Sequence, residues 1–149
     1  MRVFAAVVLV LLLIAVPVVA SQSALSFAVE CCAGTLAAAV PFYAVLFRTH
    51  GALAPEAPRL AEPATEDVLL GLAMPPLMAG ATVASVGRLF GGMSNLAGFA
   101  SILGAYVGET FALRAWELNL PEWLKAIAVP AITSLAATIA FDRQAGTSP

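Results

Sequence analysis

The stretch VLLGLAMPPLMAGATVASVGRLFGGMSNLAGFASILGAYVGETFALRA, Val68 to Ala115, decides the fold. It reads as two apolar helices joined by a tight turn at Gly91-Gly92-Met93-Ser94-Asn95, residues suited to a chain reversal. Small residues line each arm. On the first they are Ala73, Gly80, Ala84, Gly87 and Gly91; on the second, Ser94, Gly98, Ser101, Ala105, Gly108 and Ala112. The intervals are threes, fours and sevens, so each set shares one helix face. Such faces let backbones approach closely, and in lipid that packing drives helix association. The expectation is a hairpin whose two striped arms press together.

Composition names the solvent. The chain has 149 residues, 61% hydrophobic and 11% charged, with a mean hydropathy of +0.95. A soluble domain carries about 25% charged residues, and one of this size would have no means of hiding so much apolar surface. The bilayer is therefore the expected partner. Seven basic and nine acidic residues leave a net charge of −2, without any basic run, so nucleic acid has no electrostatic footprint to bind. Cys31 and Cys32 are neighbours within an apolar run. Vicinal cysteines rarely bridge without strain, and no second pair completes a metal site. They read as two small hydrophobes, and no cofactor is expected.

In chain order, Met1 to Ala20 is one basic residue, Arg2, followed by an apolar core and a small-residue end. It fits a signal peptide cleaved after Ala20 or a first transmembrane helix. Residues 21–149 form the membrane domain, with spans expected at about 24–47, 68–90, 94–115 and 123–141. At about 1.5 Å per residue each crosses most or all of a hydrocarbon core of about 30 Å. Residues 49–67 carry Pro55, Pro58 and Pro63, which forbid a continuous helix, and form a loop holding His50, a solvated side chain. Thr65 is a candidate cap for the next helix, with Glu66 and Asp67 in its first turn. Pro75-Pro76 either kinks that helix or breaks it; a break would expose carbonyls to an ion or substrate. Trp116 and Trp123 bracket a short interfacial link, and Asn119 with Glu122 resembles a capping box for the last helix. Asp142 to Pro149 reads as a polar tail.

Alternating sides put Arg2, Arg48, Arg59, Arg114 and Lys125 together, against Arg88 and Arg143. The positive-inside rule then makes the 49–67 loop cytoplasmic and the tail external, in a multi-pass protein of the inner (plasma) membrane. Ionisable groups at membrane depth each need a reason. Glu30 and Arg88 fall at similar depth near the outer side, so an ion pair is expected; the alternative is a neutral Glu30 with Arg88 snorkelling to headgroups. Glu109 lies near the cytoplasmic end of its helix and pairs with Arg114, with Arg48 or with nothing.

No catalytic set emerges. There is no histidine–carboxylate cluster to ligate a metal, no base beside a serine, and no phosphate-cradling loop. The segments GATVASVGRLFGG and SNLAGFASILGAYVG, roughly a fifth of the chain, resemble the glycine-zipper-type hairpins of small bacterial membrane proteins. Such proteins often pair the hairpin with an earlier helix bearing a glutamate and glycines, here Phe27, Glu30 and Gly34. The resemblance implies an inserted helical protein and no particular activity. The chain is thus expected to be an all-α, polytopic bundle of four to five spans. Its expected role is non-enzymatic: a scaffold or accessory subunit associating with other membrane chains or with itself. The alternative is an oligomeric channel or transporter component using Glu30, Glu109 and the Pro75-Pro76 break.

Overall fold

The reversal inside 68–115 sets the geometry. Gly91 sits at φ +104°, a conformation that favours glycine because it has no Cβ to clash. Phe90 N–H donates to Gly87 O at 3.1 Å and Gly91 N–H to Arg88 O at 3.3 Å, closing the preceding helix. Ser94 opens the next one, its Oγ accepting from Ala97 N–H at 3.4 Å. Gly91 and Ser94 are therefore turn and cap residues. They are not packing residues of the stripes to which the spacing assigned them.

A computed structural model describes residues 24–50, 65–91, 94–115 and 121–145. They form four helices: α1 (Ala24–His50), α2 (Thr65–Leu89), α3 (Asn95–Ala115) and α4 (Glu122–Ala145). Each contains a stretch of 20 or 23 residues long and apolar enough to cross a membrane. The chain is an all-α, multi-pass membrane protein. The leader 1–20, the loop residues 51–64, Trp116 and Asn119 lie outside the described residues.

Helix boundaries correct the sequence reading. Thr49 and His50 complete α1 and are not loop. The carbonyl of Pro121 accepts from Leu124 N–H at 3.0 Å and Lys125 N–H at 3.2 Å, so the described part of α4 starts on a proline. Proline suits a helix start because its missing N–H has no helical partner to lose. Most consequential, α4 runs on to Ala145, and Asp142, assigned to a tail, is helical and buried. Phe141 holds this last turn in place, its ring filling the notch left by Gly87. The alternative of a broken α2 is also overturned: Thr65–Leu89 is one uninterrupted helix through Pro75 and Pro76, both buried. Neighbouring helices make such prolines tolerable in lipid.

The helices alternate up and down. α2 and α4 touch each other and both outer helices, whereas α1 and α3 never meet. The cross-section is a rhombus with α2 and α4 on its short diagonal. α4 is the most enclosed of the four. The core is built largely of alanines, such as Ala38, Ala79, Ala97, Ala105 and Ala137, with Val83 and Phe141 among them. Small side chains bring the axes close, and dispersion and hydrogen bonds replace the hydrophobic drive that is missing between helices in lipid.

The striped arms do meet, at Gly80. A methyl group there would stand 2.5 Å from Ile102 Cα, so the two backbones are in contact. Ser101 Oγ donates to Gly80 O at 3.0 Å across the same point. Gly98 faces Ala84 more loosely, at 3.7 Å for an added methyl. The remaining glycines turn elsewhere. Gly104 and Gly108 face α4, receiving Ala140 and Ala136, while Gly87 receives Phe141. The longer small-residue groove, with two glycines engaged, therefore joins α3 to α4, beside the hairpin rather than within it.

Candidate functional site

One face of α1 is buried at every fourth residue: Ser26, Glu30, Gly34, Ala38 and Phe42. A matching polar row runs along α4 through Ser134, Thr138 and Asp142, again four residues apart. Gly34 makes the two rows fit. It leaves room for Ser134, whose Oγ donates to Cys31 O at 2.7 Å, tying α4 to α1 in mid-bundle. Thr138 Oγ1 turns back onto its own helix, donating to Ser134 O at 3.0 Å. At the far end of these rows Glu30 and Asp142 come together, within reach of one side-chain hydrogen bond.

This contact replaces the ion pair expected between Glu30 and Arg88. Arg88 is exposed and reaches along the outside of the turn, its guanidinium donating to Asn95 Oδ1 at 3.2 Å. Arg88 and Asp142 follow Gly87 and Phe141, which touch, so both stand at a similar level of the bundle, but it is Asp142 that meets Glu30. Glu30 is 1% exposed, and its Oε2 receives no hydrogen bond from any donor. Two carboxyl groups in contact form a hydrogen bond only when a proton lies between them. The spacing Ser134–Thr138–Asp142 was the signal that would have found this site in the sequence.

Glu109 is a second buried acid, 3% exposed, in the opposite half of the bundle. Its Oε1 receives no hydrogen bond, and Arg114 lies exposed near the end of α3. The neighbouring Gly108 lies against Thr133, another buried α4 hydroxyl, which donates to Val129 O at 2.8 Å. Thr133 thus faces α3, near Glu109, whereas Ser134, Thr138 and Asp142 lie on the row that faces α1, near Glu30. Nine residues of helix, about 14 Å, separate Thr133 from Asp142, and the two leave opposite sides of α4. No lysine or arginine is among the buried polar residues described. Cys31 and Cys32 are free thiols, the second exposed on the outer face of α1. The α2–α3 hairpin has its own polar clasp, Tyr106 Oη donating to Ala73 O at 3.0 Å beside the prolines.

Comparison of the chain with protein-family models, with curated proteins and with solved structures finds no match.

Proposed function

We propose that this membrane protein is non-enzymatic and serves as a component of a transport path for protons or small cations. One observation carries the reading: Glu30, Asp142 and Glu109 are all withdrawn into the bundle, in a core that also buries Ser101, Thr133, Ser134 and Thr138. An acid at membrane depth is costly, and proton relays and ion pathways are among the uses that retain one. Pro75-Pro76 has no part in the path, because α2 is unbroken there. The test is reconstitution of the purified chain into liposomes, with acidification followed by an internal dye under an imposed potassium diffusion potential. Proton entry above that of protein-free liposomes, abolished by Glu30→Gln, is the expected result. Equal rates with and without protein would end this reading.

The scaffold or accessory-subunit reading keeps a different support. α3 presents Leu96, Phe99, Leu103 and Val107 along its outer side, a surface suited to lipid or to another helix. Small-residue faces lend it little support, since Gly34, Gly80, Gly87, Gly104 and Gly108 are engaged within the chain. Cross-linking in native membranes separates the roles: hetero-complexes favour the subunit, closed homo-oligomers the path.

A further inference from the structure

We propose that Glu30 and Asp142 form a single site for one exchangeable proton, held between the two carboxyl groups. The inference rests on the transport reading and deepens it, by naming what is bound where Glu30 meets Asp142.

The argument is geometric. The two side chains belong to different helices, both are buried, and they lie within one hydrogen bond of each other. Glu30 Oε2 is buried, and no donor among the described residues reaches it. Two carboxylates side by side without hydration repel each other and lose their solvation as well. One proton removes both costs, converting the repulsive pair into an O–H···O⁻ bond. A second proton is not needed for the contact, so the pair takes up and releases its shared proton as a unit.

The surroundings favour a proton over a metal ion. Among the described residues no group of three or more His, Cys, Asp and Glu side chains converges. The nearby carbonyl of Cys31 already accepts from Ser134 Oγ and from Thr35 Oγ1, each at 2.7 Å. Among the described residues, the charged and titratable groups on the neighbouring stretches are few. On α1 they are Cys31 and Cys32; on α4, Arg143, which is exposed; on α2, Arg88, which is exposed and bonded to Asn95. α3 makes no contact with α1.

The test needs no flux measurement. Dicyclohexylcarbodiimide, an apolar reagent, modifies protonated carboxyl groups buried in membranes. The purified full chain in nanodiscs is treated across a pH series, and modified peptides are located by mass spectrometry. Glu30 and Asp142 are expected to be modified in the alternative, at most one per chain, with a common loss as pH rises. In Asp142→Asn the repelling neighbour is gone, so Glu30 modification should vanish at a pH lower by about one unit, tenfold in proton concentration. Glu30→Gln should shift Asp142 in the same sense, which provides a second reading if either variant fails to fold. Independent profiles, unmoved by the partner's substitution, would overturn the proposal, as would no modification of either acid at any pH. Protection of wild type by sodium but not choline, at constant pH, would overturn it in favour of a metal-cation site. Coupled modification in a chain that leaves liposomes proton-tight would keep the site and remove the transport reading; flux with uncoupled acids would do the reverse.

Discussion

At Gly80 the absence of a side chain has a measurable consequence. A methyl group would meet Ile102 Cα at 2.5 Å and Ile102 N at 2.9 Å, and backbone atoms have no rotamer by which to retreat. Gly80→Ala should therefore push α2 from α3 and destabilise the fold by about 1–3 kcal/mol. Gly98→Ala should do the opposite: its nearest neighbours are at 3.7 Å, and alanine gains helix propensity, so an increase of about 0.5–1 kcal/mol is expected. Unfolding by dodecyl sulfate in mixed micelles, followed by circular dichroism, measures both. The spacing of small residues identified both glycines, yet spacing alone does not rank them, because the ranking depends on what stands opposite. The same limit explains the misplaced partner of Glu30. Hydropathy gave Arg88 the right depth; it carries no information on which of two helices faces α1. Asp142 escaped notice because Asp142, Arg143 and Gln144 in succession look like the end of a span. The hydroxyls at Ser134 and Thr138 show that the same helix face had been polar for two turns already.

Among the elements, α4 does the most to organise the others. It was legible in the sequence as the last span, and its alanines were not read as a packing motif. Ala136 and Ala140 lie four residues apart and enter the groove between Gly104 and Gly108 of α3, also four apart. Small residues thus face small residues on two helices, the arrangement expected of the hairpin arms, which meet most tightly at Gly80 alone. A leucine at this seam has no room. Ala136→Leu should separate α3 from α4 and destabilise by about 1–3 kcal/mol. Ala81→Leu, on the exposed side of α2, should change stability by less than about 0.5 kcal/mol. The same detergent unfolding distinguishes them, and equal losses at the two positions would refute the α3–α4 groove. The prolines of α2 were legible as a feature and ambiguous in outcome. Tertiary packing around buried Pro75 and Pro76 keeps the helix whole, and a single-segment reading does not contain that packing.

For the whole molecule, composition alone identified the solvent, and the four spans follow from length and apolarity within a few residues. Their arrangement does not. Periodicity marks a buried stripe on each helix without saying which stripes meet, so α1 and α3 at opposite corners, with α4 between them, was beyond the reach of the sequence. The meeting of Glu30 with Asp142 follows from that arrangement, and so does the proton site built on it. The most direct test is a disulfide between α1 and α4. Position 34 is a glycine whose added Cβ would stand 3.3 Å from Ser134 Cβ. A disulfide spans about 3.5–4.5 Å between Cβ atoms, so this pair bridges once Val83, whose Cγ2 stands 2.7 Å from the added Cβ, gives way. In a chain carrying Cys31→Ala and Cys32→Ala, Gly34→Cys with Ser134→Cys should oxidise within one molecule in native membranes, as should Ala84→Cys with Gly98→Cys across the hairpin. If the hairpin pair bridges and the 34–134 pair stays reduced, α4 does not lie against α1, and the acid pair has no structural basis.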